Sequence, residues 1–72
     1  MKTNPAELKI GLSHSSAGQL VIVMSYCADH FAVYYPNSDL YIYDSESNQV
    51  IDPLRANTIW EAFELYTGWS HC

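Results

Sequence analysis

The side chains best equipped for chemistry in this sequence are Cys27, His30, His71 and Cys72. Cys27-x-x-His30 has metal-ligand spacing, and four thiol and imidazole donors are a set that can hold tetrahedral zinc. His71 and Cys72, however, are adjacent in sequence, whereas a zinc knuckle spaces its ligands. The pair at 27 and 30 therefore reads as a buried Cys27 beside a surface His30. His14 lies among Ser13, Ser15 and Ser16, with Asp29 further on, which are the ingredients of nucleophilic catalysis. No G-x-S-x-G elbow accompanies them, and a polar loop explains the serines. Glu61 and Glu64, three apart, could share acid–base work, but Glu61 also suits a helix cap and Glu64 a solvated helix face. Glycine-rich phosphate loops are absent. The expectation is a protein that is not an enzyme, with no catalytic residue, no metal and no cofactor.

Charge says more about partners than these groups do. Eight carboxylates face three basic residues in 72 residues, a net charge of -5. Two of the bases, Lys2 and Lys9, lie at the start, and Arg55 is the only one after them. From Asp29 to Asp52 there are five acids and no base. Gripping a phosphate backbone requires Lys and Arg, so direct nucleic-acid binding is disfavoured and a basic protein partner is favoured. The longest apolar run, residues 20–24, is far short of the roughly 20 residues that span a bilayer, and no apolar secretory segment is evident at the start. Two cysteines are too few for a disulfide scaffold, which points to a reducing cytoplasm, with a Cys27–Cys72 bridge as the alternative.

Residues 1–72 read as one domain, dense enough in aromatic and β-branched groups to fold. Leu8, Ile10 and Leu12 alternate with Lys9 and Gly11, as in a half-buried strand. Residues 13–18 are turn-rich. Residues 19–27 are the strongest strand signal, apolar at both parities. A tight turn at 27–30 leads to a strand at 31–35, a loop at 36–39 and a strand at 40–44. A polar loop at 45–48 leads to a short strand at 49–52, stopped by Pro53. The final element is a helix, capped by Thr58 with Glu61 in a capping box, or starting earlier at Asp52-Pro53. Its apolar stripe is Ile59, Ala62, Phe63 and Tyr66, and Gly68 suits the position after its end. The fold class is α+β: a four- or five-stranded antiparallel, meander-like sheet with one C-terminal helix packed on one face.

Loop lengths set the strand registers. A two-residue turn pairing Cys27 with His30, and a four-residue loop pairing Tyr35 with Leu40, put Leu20, Ile22, Met24, Tyr26, Phe31, Val33, Tyr35, Leu40 and Ile42 on the helix side. The opposite side then carries Val21, Val23, Ser25, Cys27, His30, Ala32, Tyr34, Tyr41 and Tyr43. A three-residue turn at either hairpin reverses this parity. On this reading Tyr34, Tyr41 and Tyr43 are exposed aromatic anchors, rimmed by Asp29, Asp39, Asp44 and Glu46.

These features point to an acidic binding protein, an inhibitor docking on a larger basic protein complex that handles nucleic acid. In size and charge the chain resembles phage-encoded anti-CRISPR and anti-restriction proteins, which are short, acidic, single-domain and without catalytic motifs. No residue pattern carries that likeness, so no site is transferred from it. The alternative is a homo-oligomer, a homodimer for instance, joined through its tyrosine-rich sheet face, where a two-fold contact would bring like acids together.

Overall fold

The computed structural model describes residues 8–70. Five strands follow one another as β1 (Lys9–His14), β2 (Leu20–Cys27), β3 (His30–Tyr34), β4 (Asp39–Asp44) and β5 (Val50–Arg55). They form one antiparallel sheet in the order β1-β2-β3-β4-β5, a meander in which every connection joins neighbours. The helix α1 (Ile59–Trp69) follows and packs against β3. This is the α+β arrangement expected from strands followed by a single helix.

The core lies between sheet and helix. Met24, Ala32, Leu40 and Ile42 project from β2, β3 and β4 onto Ala62 and Tyr66 of α1, with Ala56 beside them, and all seven are buried. Ile22, Tyr26, Tyr34, Leu54, Ile59, Phe63 and Trp69 pack around this centre. The helix starts at Thr58, whose Oγ1 accepts the Glu61 amide at 3.1 Å. The Glu61 carboxylate accepts from the Asn57 amide at 2.6 Å, so the reciprocal bond of the capping box reaches one residue further back than usual. Gly68 lies within the helix, which ends at Ser70, whose amide bonds the Tyr66 carbonyl at 3.0 Å.

Three local features correct the register expected from loop lengths. The third hairpin closes between Tyr35 and Asp39, whose carbonyl accepts the Tyr35 amide at 2.8 Å. Its loop is three residues, with Ser38 left-handed at φ 79°, the form that pairs a type I turn with a positive-φ residue. Tyr34, not Tyr35, therefore faces Leu40. Cys27 does pair with His30, but Met24 pairs with Ala32. Ser25 and Tyr26 thus stand opposite Phe31 alone, a bulge that shifts parity. A second irregularity pairs Ile42 with Asp52 and Tyr43 with Val50, leaving Ile51 as the extra residue.

The β3 assignment consequently reverses. His30, Ala32 and Tyr34 face the helix, whereas Phe31, Val33 and Tyr35 occupy the opposite face with Tyr41 and Tyr43. Cys27 also lies on the helix side, beside Ser70. Pro53 does not stop β5, which runs on to Arg55. As an edge strand, β5 tolerates a residue without an amide proton.

Candidate functional site

Two polar or aromatic constellations emerge, one inside and one outside. The inner one centres on His30, which is buried. Its Nδ1 lies 2.9 Å from the Tyr66 hydroxyl and its Nε2 3.3 Å from the Ser70 hydroxyl. The Tyr66 hydroxyl also accepts the Tyr26 amide at 3.1 Å and lies 3.3 Å from the His30 carbonyl. Every contact is used when Nδ1–H donates to Tyr66 and Tyr66 donates to that carbonyl. Trp69 stacks edge-on against the imidazole at 5.0 Å and anchors its own Nε1–H on Asp52 at 3.0 Å. Burial pushes the Tyr66 hydroxyl above its ordinary pKa, while the Tyr26 amide pulls it down in part. The network ties the end of α1 to the β2–β3 turn.

Cys27 and His30 do come together, on either side of the Ser70 hydroxyl. The Ser70 hydroxyl lies 3.1 Å from Cys27 Sγ. Cys27 is disulfide-bonded, where the cysteine count favours reduced thiols. Cys72, of the alternative Cys27–Cys72 bridge, and His71, the other candidate metal ligand, fall outside the described residues. Among the described residues no group of three or more potential ligands is placed to hold a metal ion. His14 and Asp29 sit at opposite ends of β2 and form no triad. Ser15 Oγ instead accepts the Ala17 and Gln19 amides at 3.3 and 3.2 Å, which shapes the turn. Glu61 caps the helix and Glu64 is exposed.

The outer constellation covers the sheet face turned away from the helix. Phe31 and Tyr43 stack nearly parallel, 5.1 Å apart and inclined by 6°. Tyr41 meets Tyr35 edge-on at 5.5 Å and Tyr43 at 6.5 Å. The hydroxyls of Tyr35 and Tyr43 are 3.4 Å apart, and that contact, reinforced by partial burial, pushes the Tyr43 pKa up to about 12. All four rings are half-buried. Val33, paired with both Val23 and Tyr41, is buried among them. Among the described residues no element lies over this face.

The expected site residues divide. Tyr41 and Tyr43 belong to the outer cluster. Tyr34 does not: it packs on the core, with its hydroxyl donating to the Ala56 carbonyl at 2.8 Å. Asp39 is matched by Arg55, Nη1 to Oδ1 at 3.0 Å, and receives a long 3.5 Å contact from the Tyr41 hydroxyl. Asp29, Asp44 and Glu46 gather with Ala28 and Ser45 around a surface hollow of about 380 Å³. This hollow lies one residue beyond the stacked Phe31–Tyr43 pair. Asp44 also shapes the neighbouring loop, accepting the Glu46 amide at 3.3 Å and the Ser47 hydroxyl at 3.0 Å. Phe31 and Tyr35 are cluster members that loop-length reasoning placed in the core. The only sequence signal for them was the possibility of a three-residue turn.

Compared with protein-family models, curated proteins and solved structures, the chain finds no match.

No helix among the described residues is long and apolar enough to cross a membrane.

Proposed function

We propose that this chain is a non-enzymatic binding domain that docks on a larger basic protein through its helix-free aromatic face. The observation that carries this reading is the four-ring cluster of Phe31, Tyr35, Tyr41 and Tyr43, half-exposed and adjoining an acidic end. Tyrosine offers large contact area at little entropic cost, with a polar tip that tolerates both water and a partner. Exposed apolar surface with a polar rim is what interaction sites have in common. Asp29, Asp44 and Glu46 then select a basic surface and speed encounter. Asp39 contributes less, because Arg55 already offsets its charge. A partner that handles nucleic acid supplies such a basic surface, and occupying it would inhibit that partner.

Self-association through the same face receives less support, since it would place two acidic ends in one interface. Cytoplasmic action sits against the disulfide at Cys27, a bond that persists in oxidising surroundings. Thiol labelling of acid-quenched cells distinguishes the two locations: a labelled Cys27 supports the cytoplasm, an unlabelled one an oxidising compartment.

The docking reading is tested with the double variant Tyr41→Ala/Tyr43→Ala. It is expected to keep its fold, to lose the basic partner and to leave the partner's activity unaffected. Inhibition equal to that of the parent chain would exclude this face.

A further inference from the structure

The two edges of the sheet differ. The β5 edge carries Pro53 and an irregularity at Ile51, both devices that keep other strands from adding. The β1 edge has neither. Its register with β2 runs without interruption from Lys9↔Ser25 to His14↔Leu20, all six of its residues are exposed, and no described strand pairs with its outer side. Its sequence has no proline. On the helix side of the sheet, Ile10 and Leu12 pair with Met24 and Ile22, yet they are 52% and 70% exposed, and neighbouring Leu20 is 52% exposed. The helix leaves this strip uncovered.

Charge is segregated in the same sense. Seven of the eight acids, Asp29, Asp39, Asp44, Glu46, Asp52, Glu61 and Glu64, lie beyond β2; the eighth, Glu7, precedes β1, and residues 8–27 contain no acid and one base, Lys9. The strand β1 itself thus sets no carboxylate against a second copy. Nor does it offer the acids that would attract a basic strand.

We propose that two copies of this chain pair antiparallel through β1, joining their sheets into one. A strand pairing antiparallel with its own copy is related to it by a two-fold axis perpendicular to the sheet, so both helices fall on one side. Centred near Gly11, the pairing sets Ile10 against Leu12 of the second copy and Lys9 against Ser13. The two Lys9 side chains then stand about 14 Å apart along the strands, four residues at roughly 3.4 Å each. Ile10 and Leu12 of both copies merge into one apolar strip between the helices. Both aromatic faces point to the opposite side, a bivalent arrangement that strengthens binding to a repeated partner. This surface is separate from the aromatic face, and either assignment can fail alone.

Sedimentation equilibrium over a wide concentration range tests the pairing. An interface of one strand per copy is small, so association in the micromolar range or weaker is expected. The weight-average mass should rise from 8.2 kDa towards twice that value, and added salt should change it little. Leu12→Lys and Ile10→Lys are expected to hold the mass at the monomer value with unchanged circular dichroism, and Tyr41→Ala/Tyr43→Ala to leave dimerisation intact. Amide exchange on the parent chain supplies a readout independent of any variant, with β1 amides slowing as concentration rises. A monomer at every concentration, or β1 exchange that ignores concentration, overturns the proposal. So does a dimer abolished by Tyr41→Ala/Tyr43→Ala and untouched by a folded Leu12→Lys.

Discussion

Individual hydroxyls have measurable consequences. Tyr43 keeps its proton to about pH 12 because Tyr35 shares a hydrogen bond with it and because it is partly buried. Tyr66 is raised by burial. Both folded values lie above the ordinary one near 10. The protonated forms are therefore favoured by folding, and the stability they contribute is complete below about pH 10. As pH climbs, the unfolded chain releases these protons first, and the contribution from Tyr43 is gone above about pH 12. Ultraviolet titration of the tyrosinate band should resolve a late-ionising component, and Tyr35→Phe should bring part of it down. A single ionisation near 10 would remove the Tyr35–Tyr43 contact. Tyr66→Phe deletes the hydroxyl that serves the Tyr26 amide and His30, leaving buried donors unsatisfied. A loss of roughly 1–3 kcal/mol is expected in denaturant unfolding. His30 illustrates what residue type alone conceals. Its place on a surface or in a core depended on the bulge at Ser25–Tyr26, four residues upstream.

Elements were legible where their signals were local. The β2 run, β4, the positions of the loops and a capping box at Thr58 all show as local residue patterns, and Thr58→Ala should cost the helix about 1 kcal/mol. Side assignment was legible for β4 and for β2 up to its bulge, but not for Cys27 or β3. Parity accumulates across turns, and Pro36-Asn37-Ser38-Asp39 accommodates a four-residue or a three-residue loop equally well by composition. Only the left-handed Ser38 decides it, and serine does not announce positive φ as glycine does. The Ser25–Tyr26 bulge had no sequence signal at all. The corrected faces predict unequal costs. Ile42→Ala, at a fully buried site, should destabilise by roughly 2–5 kcal/mol. Phe31→Ala, on the half-exposed outer face, should cost roughly 1–2 kcal/mol. Equal losses would return Phe31 to the core.

At the scale of the whole molecule the protein is asymmetric in three respects. One sheet face carries the helix and the other four aromatic rings. One end gathers Asp29, Asp44 and Glu46, while the only Arg is spent on Asp39. One edge is blunted by Pro53, and along the other no described strand pairs with the outer side of β1. Composition alone made the acidity and the surplus of tyrosine visible, but not which tyrosines share a face. Tyr34, counted among the anchors by parity, is held by Ala56 and the core, and Phe31 and Tyr35 take its place. The central claim is that this outer face binds a basic protein. It is tested most directly by quantitative mass spectrometry of proteins retained from lysate of the native source. The baits are the parent chain, Tyr41→Ala/Tyr43→Ala, and Trp60→Ala as a control at a residue 71% exposed on the helix. The account predicts a basic, nucleic-acid-handling protein retained by the parent and by Trp60→Ala, and lost from the double variant. Retention of that protein by all three baits, or a retained set without basic proteins, would contradict it.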